Sequence, residues 1–267
     1  MPGKAVKDFV SDNKNDVADA RAIWTAVQQS SVKSVAVKSE AQQAFLALHR
    51  MRQQLIKFRT MQSNCLRGLL TEYGEVMSVG RAALNESMPG VLSRLSERLP
   101  AGSVNSLREQ WGRLGELDEH IADMERRLSG WMKEDKSCQK IAEIPGVGLL
   151  TATAAVATMG DAKAFRSGRE FAAWLGLVPS QVGTGGKVRL LGISKRGDTY
   201  LRTLLIHGAR SVLTPAKEPG AWVEQIRKRR PANVVTVALA NKIARTIWAL
   251  LAHDRPYEQS YVSVKRA

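Results

Sequence analysis

The chain has 267 residues, a formal net charge of +15 and a sequence pI of about 10.2. This excess of cations favours a polyanionic partner, with nucleic acid as the first candidate and loose anion binding as the alternative. Two cysteines without a CxxC spacing argue against a zinc site or a disulfide framework. No uncharged apolar run reaches the ~18 residues of a membrane span, and the N-terminus lacks the apolar core of a signal peptide. We therefore expect a cytoplasmic protein with no membrane partner.

Residues 13–29 (NKNDVADARAIWTAVQQ) predict a helix with Ala18, Ile23 and Val27 on its apolar side. Asp16 and Asp19 are three positions apart, so both carboxylates lie on one helical face, within reach of one divalent ion. The alternative interpretation is a solvated acidic pair in the first turn, where negative charge suits the helix dipole.

The middle of the chain predicts long helices. Residues 32–37 alternate like a short strand, and residues 40–73 read as one helix. Its predicted buried side consists of Phe45, Leu48, Met51, Leu55, Phe58, Cys65 and Leu69. Pro89 and the segment 100–102 are expected to break the next stretch. Residues 103–133 then carry apolar side chains at alternating spacings of three and four, which predicts a coiled-coil seam. Its members are Val104, Leu107, Trp111, Leu114, Leu117, Ile121, Met124, Leu128 and Trp131. With the helix at 40–73 this seam predicts a long antiparallel coiled-coil helical hairpin or, as the alternative, an intermolecular coiled coil.

The composition shifts at about Asp135, and the sequence IPGVG (residues 144–148) follows between two helical patterns. Proline followed by glycines between helices is typical of a helix-hairpin-helix turn. There, backbone amides and the N-terminus of the next helix hold a DNA phosphate without reading sequence. This assigns Pro145, Gly146 and Gly148 to nucleic-acid binding. The alternative is a tight turn that only packs two helices together.

A basic, glycine-rich stretch occupies residues 183–202 (GTGGKVRLLGISKRGDTYLR). It is expected to be an irregular loop in which the glycines let the backbone come close to a ligand. A single serine, Ser194, lies among cations that can hold a phosphate. These cations are Lys187, Arg189, Lys195, Arg196 and Arg202. The alternative is an ordinary loop serine followed by a helix that Asp198 caps. A basic run at 227–230 and a strongly apolar helix at 233–253 complete the pattern.

Four blocks, in order, resemble the transposases of insertion sequences 110 and 1111, the DEDD transposases. The blocks are NKNDVADARAI, IPGVG, FAAWLGLVPSQ and GGKVRLLGISKRGDTYLRTLLIHGAR. The resemblance implies a RuvC-like, ribonuclease-H-type domain joined through a coiled coil to a C-terminal transposase domain. Such enzymes are site-specific recombinases that a noncoding RNA of the element guides to donor and target DNA. Active sites composed from several protomers imply a homo-oligomer, a dimer or a tetramer.

The resemblance also implies residue roles. The family's four acids bind Mg²⁺, and Asp16 and Asp19 match the third and fourth of them. Ser194 matches the serine that attacks the DNA phosphate and forms a covalent intermediate. Ser180 is the other serine of the region, at a position that varies in the family, so Ser194 is the predicted nucleophile.

The family's first two acids have no counterpart in residues 1–12. We therefore expect an N-terminally truncated chain with an incomplete magnesium site and exposed apolar surface where a layer is missing. The expected fold is mainly α. It divides into a truncated RuvC-like α/β remnant (1–39), a coiled-coil helical region (40–135), a helical transposase domain with a helix-hairpin-helix-like turn (136–255) and a tail (256–267). The alternatives to an active transposase are a catalytically inactive nucleic-acid-binding remnant and a structural coiled-coil protein whose charge is incidental.

Overall fold

The computed structural model describes residues 6–10, 15–29, 32, 37–214 and 220–258, and this part of the chain is mainly helical. Its helices are α1 (Asp16–Gln28), α2 (Glu40–Glu72), α3 (Arg81–Ser96), α4 (Ala101–Glu134), α5 (Lys136–Ala142), α6 (Leu149–Met159), α7 (Gly168–Trp174), α8 (Thr199–Leu213), α9 (Ala221–Arg227) and α10 (Ala232–His253). Two strands, β1 (Pro179–Thr184) and β2 (Lys187–Ile193), form an antiparallel pair. The chain forms two compact units, Ala44–Trp131 and the remainder.

In the unit Ala44–Trp131, the helices α2 and α4 run antiparallel. Phe45 at one end of α2 stacks on Trp131 at the far end of α4, with ring centroids 3.7 Å apart. Arg52 lies 2.6 Å from Glu125, further along the same pair of helices. Near the other end, α3 packs between them through an apolar core that includes Leu66, Leu84 and Leu107.

The predicted apolar face of α4 is confirmed at five of its nine residues, and the other four, Trp111, Leu117, Met124 and Trp131, are half-buried. Val104, Leu107, Leu114, Ile121 and Leu128 are all buried, as the three–four spacing requires. The assignment of a coiled coil to this region stays a prediction.

The predicted buried side of α2 is right in part: Phe45, Leu48 and Leu55 are half-buried, whereas Cys65 and Leu69 are exposed. Met51 and Phe58 are each 46 % exposed, whereas His49, Leu66 and Leu70 are buried. The inward face also carries Arg52, whose guanidinium is paired with Glu125. Because the charged Arg52 interrupts the row of apolar residues on the inward face, the apolar periodicity of the sequence does not reveal that face.

Pro89 does not break the chain as predicted, because it lies inside α3. A proline in a helix interior removes one hydrogen bond and costs about 3 kcal/mol. This helix buries Leu84, Met88, Val91, Leu92 and Leu95, so tertiary packing outweighs the local penalty. The break at Pro100 is confirmed, since α4 begins at Ala101.

In α1 the two buried residues are Ala22 and Ala26, not the predicted apolar set. Ile23 and Val27 are 47 % and 58 % exposed, and Trp24 is 67 % exposed, so a large apolar face of this helix is open. The predicted strand at 32–37 lies mostly outside the described residues.

The second unit is built around α10, which packs against α8, α7 and α5. The predicted inward residues Val235, Leu239, Ile243, Ile247 and Leu250 are all buried. Within the described residues, α10 is the one helix long and apolar enough to cross a membrane by length and composition. Its buried residues from Leu239 to Leu250 belong to the core that also contains residues of α6, α7 and α8.

Candidate nucleic-acid site around Ser194

Residues 179–193 form a β-hairpin, so the prediction of an irregular loop is wrong for the first half of the basic stretch. It is right for residues 194–198, which include Ser194 and precede α8. Thr184 pairs with Lys187 across a two-residue turn. Both turn residues, Gly185 and Gly186, have positive φ (56° and 78°), as the favoured two-residue hairpin turn demands. The apolar residues of β2 bury little surface here: Leu190 is 65 % exposed.

The hairpin register decides where the cations lie. Thr184 pairs with Lys187 and Val182 pairs with Arg189, so both cations lie on one face of the ribbon. The opposite face carries Val188 and Leu190. One face of the ribbon thus carries both cations together with Val182, the other carries Val188 and Leu190, and both faces are exposed.

Ser194 lies directly after β2, where its backbone N–H donates to the carbonyl of Val178 at 2.8 Å. Its Oγ is buried and has no hydrogen-bond partner. Among the residues that the structure describes, every other buried side-chain nitrogen or oxygen atom has a hydrogen-bond partner. A buried hydroxyl without a partner costs about 1–3 kcal/mol, so it is unusual for a purely structural serine.

The loop that carries Ser194 is held by a row of consecutive carbonyls between α7 and β1. Each carbonyl of residues 175–178 accepts a hydrogen bond, and two of the donors are the backbone amides of Ser194 and Lys195. The bonds are Arg202 Nη1 to Leu175 O (2.9 Å), Lys195 N to Gly176 O (3.2 Å), Asn241 Nδ2 to Leu177 O (3.2 Å) and Ser194 N to Val178 O (2.8 Å). The backbone on either side of the serine is therefore fixed.

Two glycines permit this close approach. A Cβ on Gly197 would lie 1.9 Å from the carbonyl oxygen of Trp174, and Gly197 also has a φ of +68°. A Cβ on Gly176 would lie 2.4 Å from the backbone nitrogen of Arg196. Lys195 itself adopts a φ of +53°, which is uncommon for a residue with a side chain. A strained residue therefore follows Ser194 directly.

The structure separates the predicted cations into two groups. Lys187, Arg189, Lys195 and Arg196 are exposed. Arg202 is only 6 % exposed, and besides Leu175 its guanidinium donates to the carbonyl of Arg196 (2.7 Å) and to Thr199 Oγ1 (3.1 Å). Its hydrogen bonds therefore hold the loop.

Sequence reasoning missed Asn241, which lies on α10 and reaches Leu177 from 64 residues away. No local pattern marks such a residue, because its partner is a backbone carbonyl in another segment. Asp198 is the predicted helix cap, and its carboxylate accepts from the N–H of Leu201 at 2.8 Å.

The IPGVG segment forms the turn between α5 and α6. The N–H of Val147 donates to the carbonyl of Ile144 at 2.9 Å, and Gly146 has a φ of +87°. A Cβ on Gly146 would lie 2.6 Å from the carbonyl of Gly208 on α8, so the turn packs tightly against that helix. Pro145 and Gly148 remain exposed, and Gly148 precedes α6 without a side-chain cap. Packing and phosphate binding are thus compatible at this turn.

Asp16 and Asp19 lie in the first turn of α1, where Asn15 Oδ1 accepts from the N–H of Ala18 at 2.7 Å. Within the described residues, no group of three or more His, Cys, Asp or Glu side chains is placed to hold a metal ion. Two carboxylates supply fewer ligands than the octahedral shell of Mg²⁺ requires, although the ion usually keeps several waters.

Comparison with known proteins identifies the class. The model for the transposase IS116/IS110/IS902 family matches residues 138–221, which include the turn and Ser194. A second transposase model, for the DEDD type of IS110, matches residues 1–75. The chain is similar to a probable family 20 transposase of Pseudomonas aeruginosa, with 46 % identity covering 94 % of this chain and 76 % of that protein.

Two further relatives have the same character. The transposase for insertion sequence element IS1111A of Coxiella burnetii is 42 % identical, covering 94 % of this chain and 70 % of that protein. The transposase for insertion sequence element IS1328 of Yersinia enterocolitica is 39 % identical, covering 92 % and 74 % respectively. The fold, the basic site and these relatives define an enzyme class: a transposase of an insertion sequence, which acts on DNA. The chain belongs to the IS110/IS116/IS902 transposase family.

Proposed function

We propose that the chain is a DNA transposase that cuts and rejoins strands as a site-specific recombinase, with Ser194 Oγ as the nucleophile. The observation that carries the proposal is the buried Ser194 oxygen without a hydrogen-bond partner, in a loop whose backbone is fixed on both sides. No hydrogen bond of this hydroxyl must be broken before it reacts. If Ser194 had a purely structural role, a hydrogen bond of its hydroxyl would add about 1 kcal/mol to the stability of the fold, and this hydrogen bond is missing.

In the proposed step, the bond from Ser194 Oγ to phosphorus forms while a bridging P–O bond of the DNA strand breaks. The hydroxyl proton passes to solvent, and the leaving oxygen takes up a proton. Because the oxygen is buried, the side chain must rotate or the hairpin must shift to admit the phosphate. Rejoining reverses the step with the hydroxyl end of another strand as the attacking group.

The exposed cations supply charge stabilisation in this scheme. Lys195 and Arg196 follow the nucleophile directly, and Lys187 and Arg189 share one face of the hairpin. Cations in such positions neutralise the phosphate and the charge that develops on its oxygens. Arg202 fixes the carbonyl of Arg196 and so positions the loop. The amides of Gly146 and Leu149, which follow Pro145 and Gly148, would hold a second phosphate, while the amide of Val147 is engaged by Ile144 within the turn.

The proposed cofactor is Mg²⁺, and the proposed partners besides DNA are an RNA and further copies of the chain. Asp16 and Asp19 would contribute two carboxylates to a Mg²⁺ site whose other ligands are not among the described residues, and we derive no step through that ion. An RNA encoded by the element would guide recognition, and a dimer or tetramer would assemble the active sites. We also propose that domain boundaries lie at residues 40 and 136, so that the RuvC-like remnant, the coiled-coil region and the transposase domain meet there.

Covalent trapping tests the nucleophile. The full chain is incubated with labelled duplex DNA carrying the ends of its element, with the element RNA and Mg²⁺, and denatured in detergent. We expect a protein–DNA adduct that Ser194→Ala abolishes. Ser180→Ala is the matched control, because Ser180 lies on the same hairpin and its hydroxyl donates to the carbonyl of Gly192 at 3.1 Å.

An adduct that persists in Ser194→Ala would contradict the assignment. Salt-dependent DNA binding without any adduct in the wild-type chain would instead favour the inactive nucleic-acid-binding remnant. The absence of a third metal-binding side chain near Asp16 and Asp19, within the described residues, is the observation that favours this second candidate.

A further inference from the structure

A second cationic surface lies outside the Ser194 site, at the corner between α9 and α10. Arg227, Lys228, Arg229 and Arg230 are consecutive and all exposed. None of them forms an ion pair with a described carboxylate, and Glu224 is the acid of the segment 221–230. Unpaired like charges in a row repel one another, so a bound anion would lower the electrostatic energy of this arrangement.

The corner is ordered by its own backbone. The backbone N–H groups of Arg229 and Arg230 both donate to the carbonyl of Ile226 at 3.0 Å. The backbone N–H of Lys228 donates to the backbone carbonyl of Glu224 at 3.2 Å. Val223 is buried, which anchors α9. Binding therefore costs little backbone ordering, and the entropy cost is confined to the side chains.

The four cations have different roles. Arg227 Nη2 donates to the carbonyl of Leu213 at the end of α8, at 2.8 Å, so this residue also ties α9 to α8. Arg229 uses Nε on the carbonyl of Gln225 at 3.3 Å, which leaves its terminal nitrogens available. Lys228 and Arg230 make no side-chain hydrogen bond to a described residue. Residues 228–230 are thus the part of the run that is free to bind an anion.

An aromatic residue and a fifth cation lie on the same two helices. Trp222 is 37 % exposed, and Lys242 Nζ on α10 lies 4.7 Å from the centre of its ring. Arginine forks match phosphate oxygens in pairs, and an accessible indole offers a face on which a base can stack. An acidic peptide would satisfy the cations but would not use this ring.

We propose that the α9–α10 corner binds the phosphodiester backbone of a nucleic acid, as a contact surface additional to the Ser194 hairpin. The proposal rests on the proposed action on DNA but not on the chemistry of Ser194. The surface reads no sequence, since phosphate contacts fix position and orientation only. It would add affinity and hold one segment of nucleic acid while the hairpin engages another.

Equilibrium binding across a series of salt concentrations tests the surface. The variant Lys228→Gln/Arg229→Gln/Arg230→Gln removes its free cations and spares Arg227. Fluorescence anisotropy with labelled duplex DNA, and separately with single-stranded RNA of the same sequence, gives the slope of log affinity against log salt. Each lost phosphate contact lowers the slope by about 0.9 for duplex DNA and about 0.7 for a single strand. We expect a total loss of about 2–3 on the probe that the surface binds, with affinity down at least ~10-fold.

The matched control is Arg113→Gln/Arg126→Gln/Arg127→Gln, which changes net charge equally. All three control residues are exposed on α4, and Arg126 and Arg127 already pair with Asp123. We expect this variant to keep the wild-type slope. An equal loss in the control would reduce the effect to bulk charge and overturn the proposal, as would an unchanged slope in the corner variant on both probes.

Folding is controlled by thermal unfolding and by the single variants Arg229→Gln and Arg230→Gln, each expected to lower the slope by about 1. Arg229→Lys/Arg230→Lys keeps the charge and should keep the slope. Since the readout is binding, a failure here leaves covalent trapping by Ser194 unaffected. A failure of trapping likewise leaves this surface standing.

Discussion

Replacing Arg202 with methionine tests whether this residue holds the Ser194 loop. Methionine fills a similar space but donates no hydrogen bond, so the carbonyls of Leu175 and Arg196 lose their donor in a buried place. A hydrogen bond to a charged group contributes about 1.5–3 kcal/mol, and an unpaired buried carbonyl adds a further penalty. We therefore expect Arg202→Met to lower the free energy of unfolding by about 3–5 kcal/mol.

Two measurements check this value. Urea unfolding followed by circular dichroism gives the loss of stability, and amide hydrogen exchange of the peptide around residues 190–196 locates it. The control is Arg196→Met, because that side chain is exposed and should shift stability by no more than ~0.5 kcal/mol while it weakens DNA binding. Wild-type stability and unchanged exchange in Arg202→Met would refute the holding role and return Arg202 to the cations that contact DNA directly.

Two further predictions concern stability. Burial, and secondarily the charge of Arg52, lower the pKa of His49 from 6.5 to about 4, so the folded state keeps a neutral imidazole. The stability that this provides is complete above pH 6.5 and falls toward pH 4, by at most about 1.4 kcal/mol per pH unit, and His49→Gln should flatten this dependence in urea titrations. A wild-type curve that is flat between pH 6.5 and 4 would contradict the burial. Gly197→Ala should prevent the 194–197 loop from closing, because its Cβ would lie 1.9 Å from the carbonyl of Trp174, whereas Gly185→Ala, with open space around it, should cost only about 1 kcal/mol. Equal melting temperatures for the two alanine variants would refute the close contact.

The sequence predicted the helices best where one face is uniformly apolar. The inward residues of α10, from Val235 to Leu250, are buried as their spacing predicts. Five of the nine predicted residues of α4 are buried and the other four are half-buried. On α2 the pattern failed in part because Arg52, which pairs with Glu125 of α4, and the buried His49 face inward. Periodicity counts apolar residues and has no means of recognising a polar side chain that tertiary contacts satisfy.

At the candidate site too, the sequence predicts the features that are local in the chain and misses those that depend on distant contacts. Ser194 and its flanking cations are local in sequence, and motif reasoning found them. The hairpin was missed because its strands bury almost nothing, so the Gly185–Gly186 turn was the available signal. The holding role of Arg202 and the presence of Asn241 depend on carbonyls at 175–178, which are distant in sequence and invisible to any motif.

The residue to which DNA becomes covalently attached decides whether Ser194 is the nucleophile. After trapping on the full chain, nuclease trimming and trypsin digestion, Ser194 lies in the peptide 190–195 and Ser180 in the peptide 170–187. If Ser194 is the nucleophile, mass spectrometry finds the nucleotide remnant on peptide 190–195, with fragment ions that place it on Ser194. A remnant on peptide 170–187, or on any other residue, would contradict this assignment.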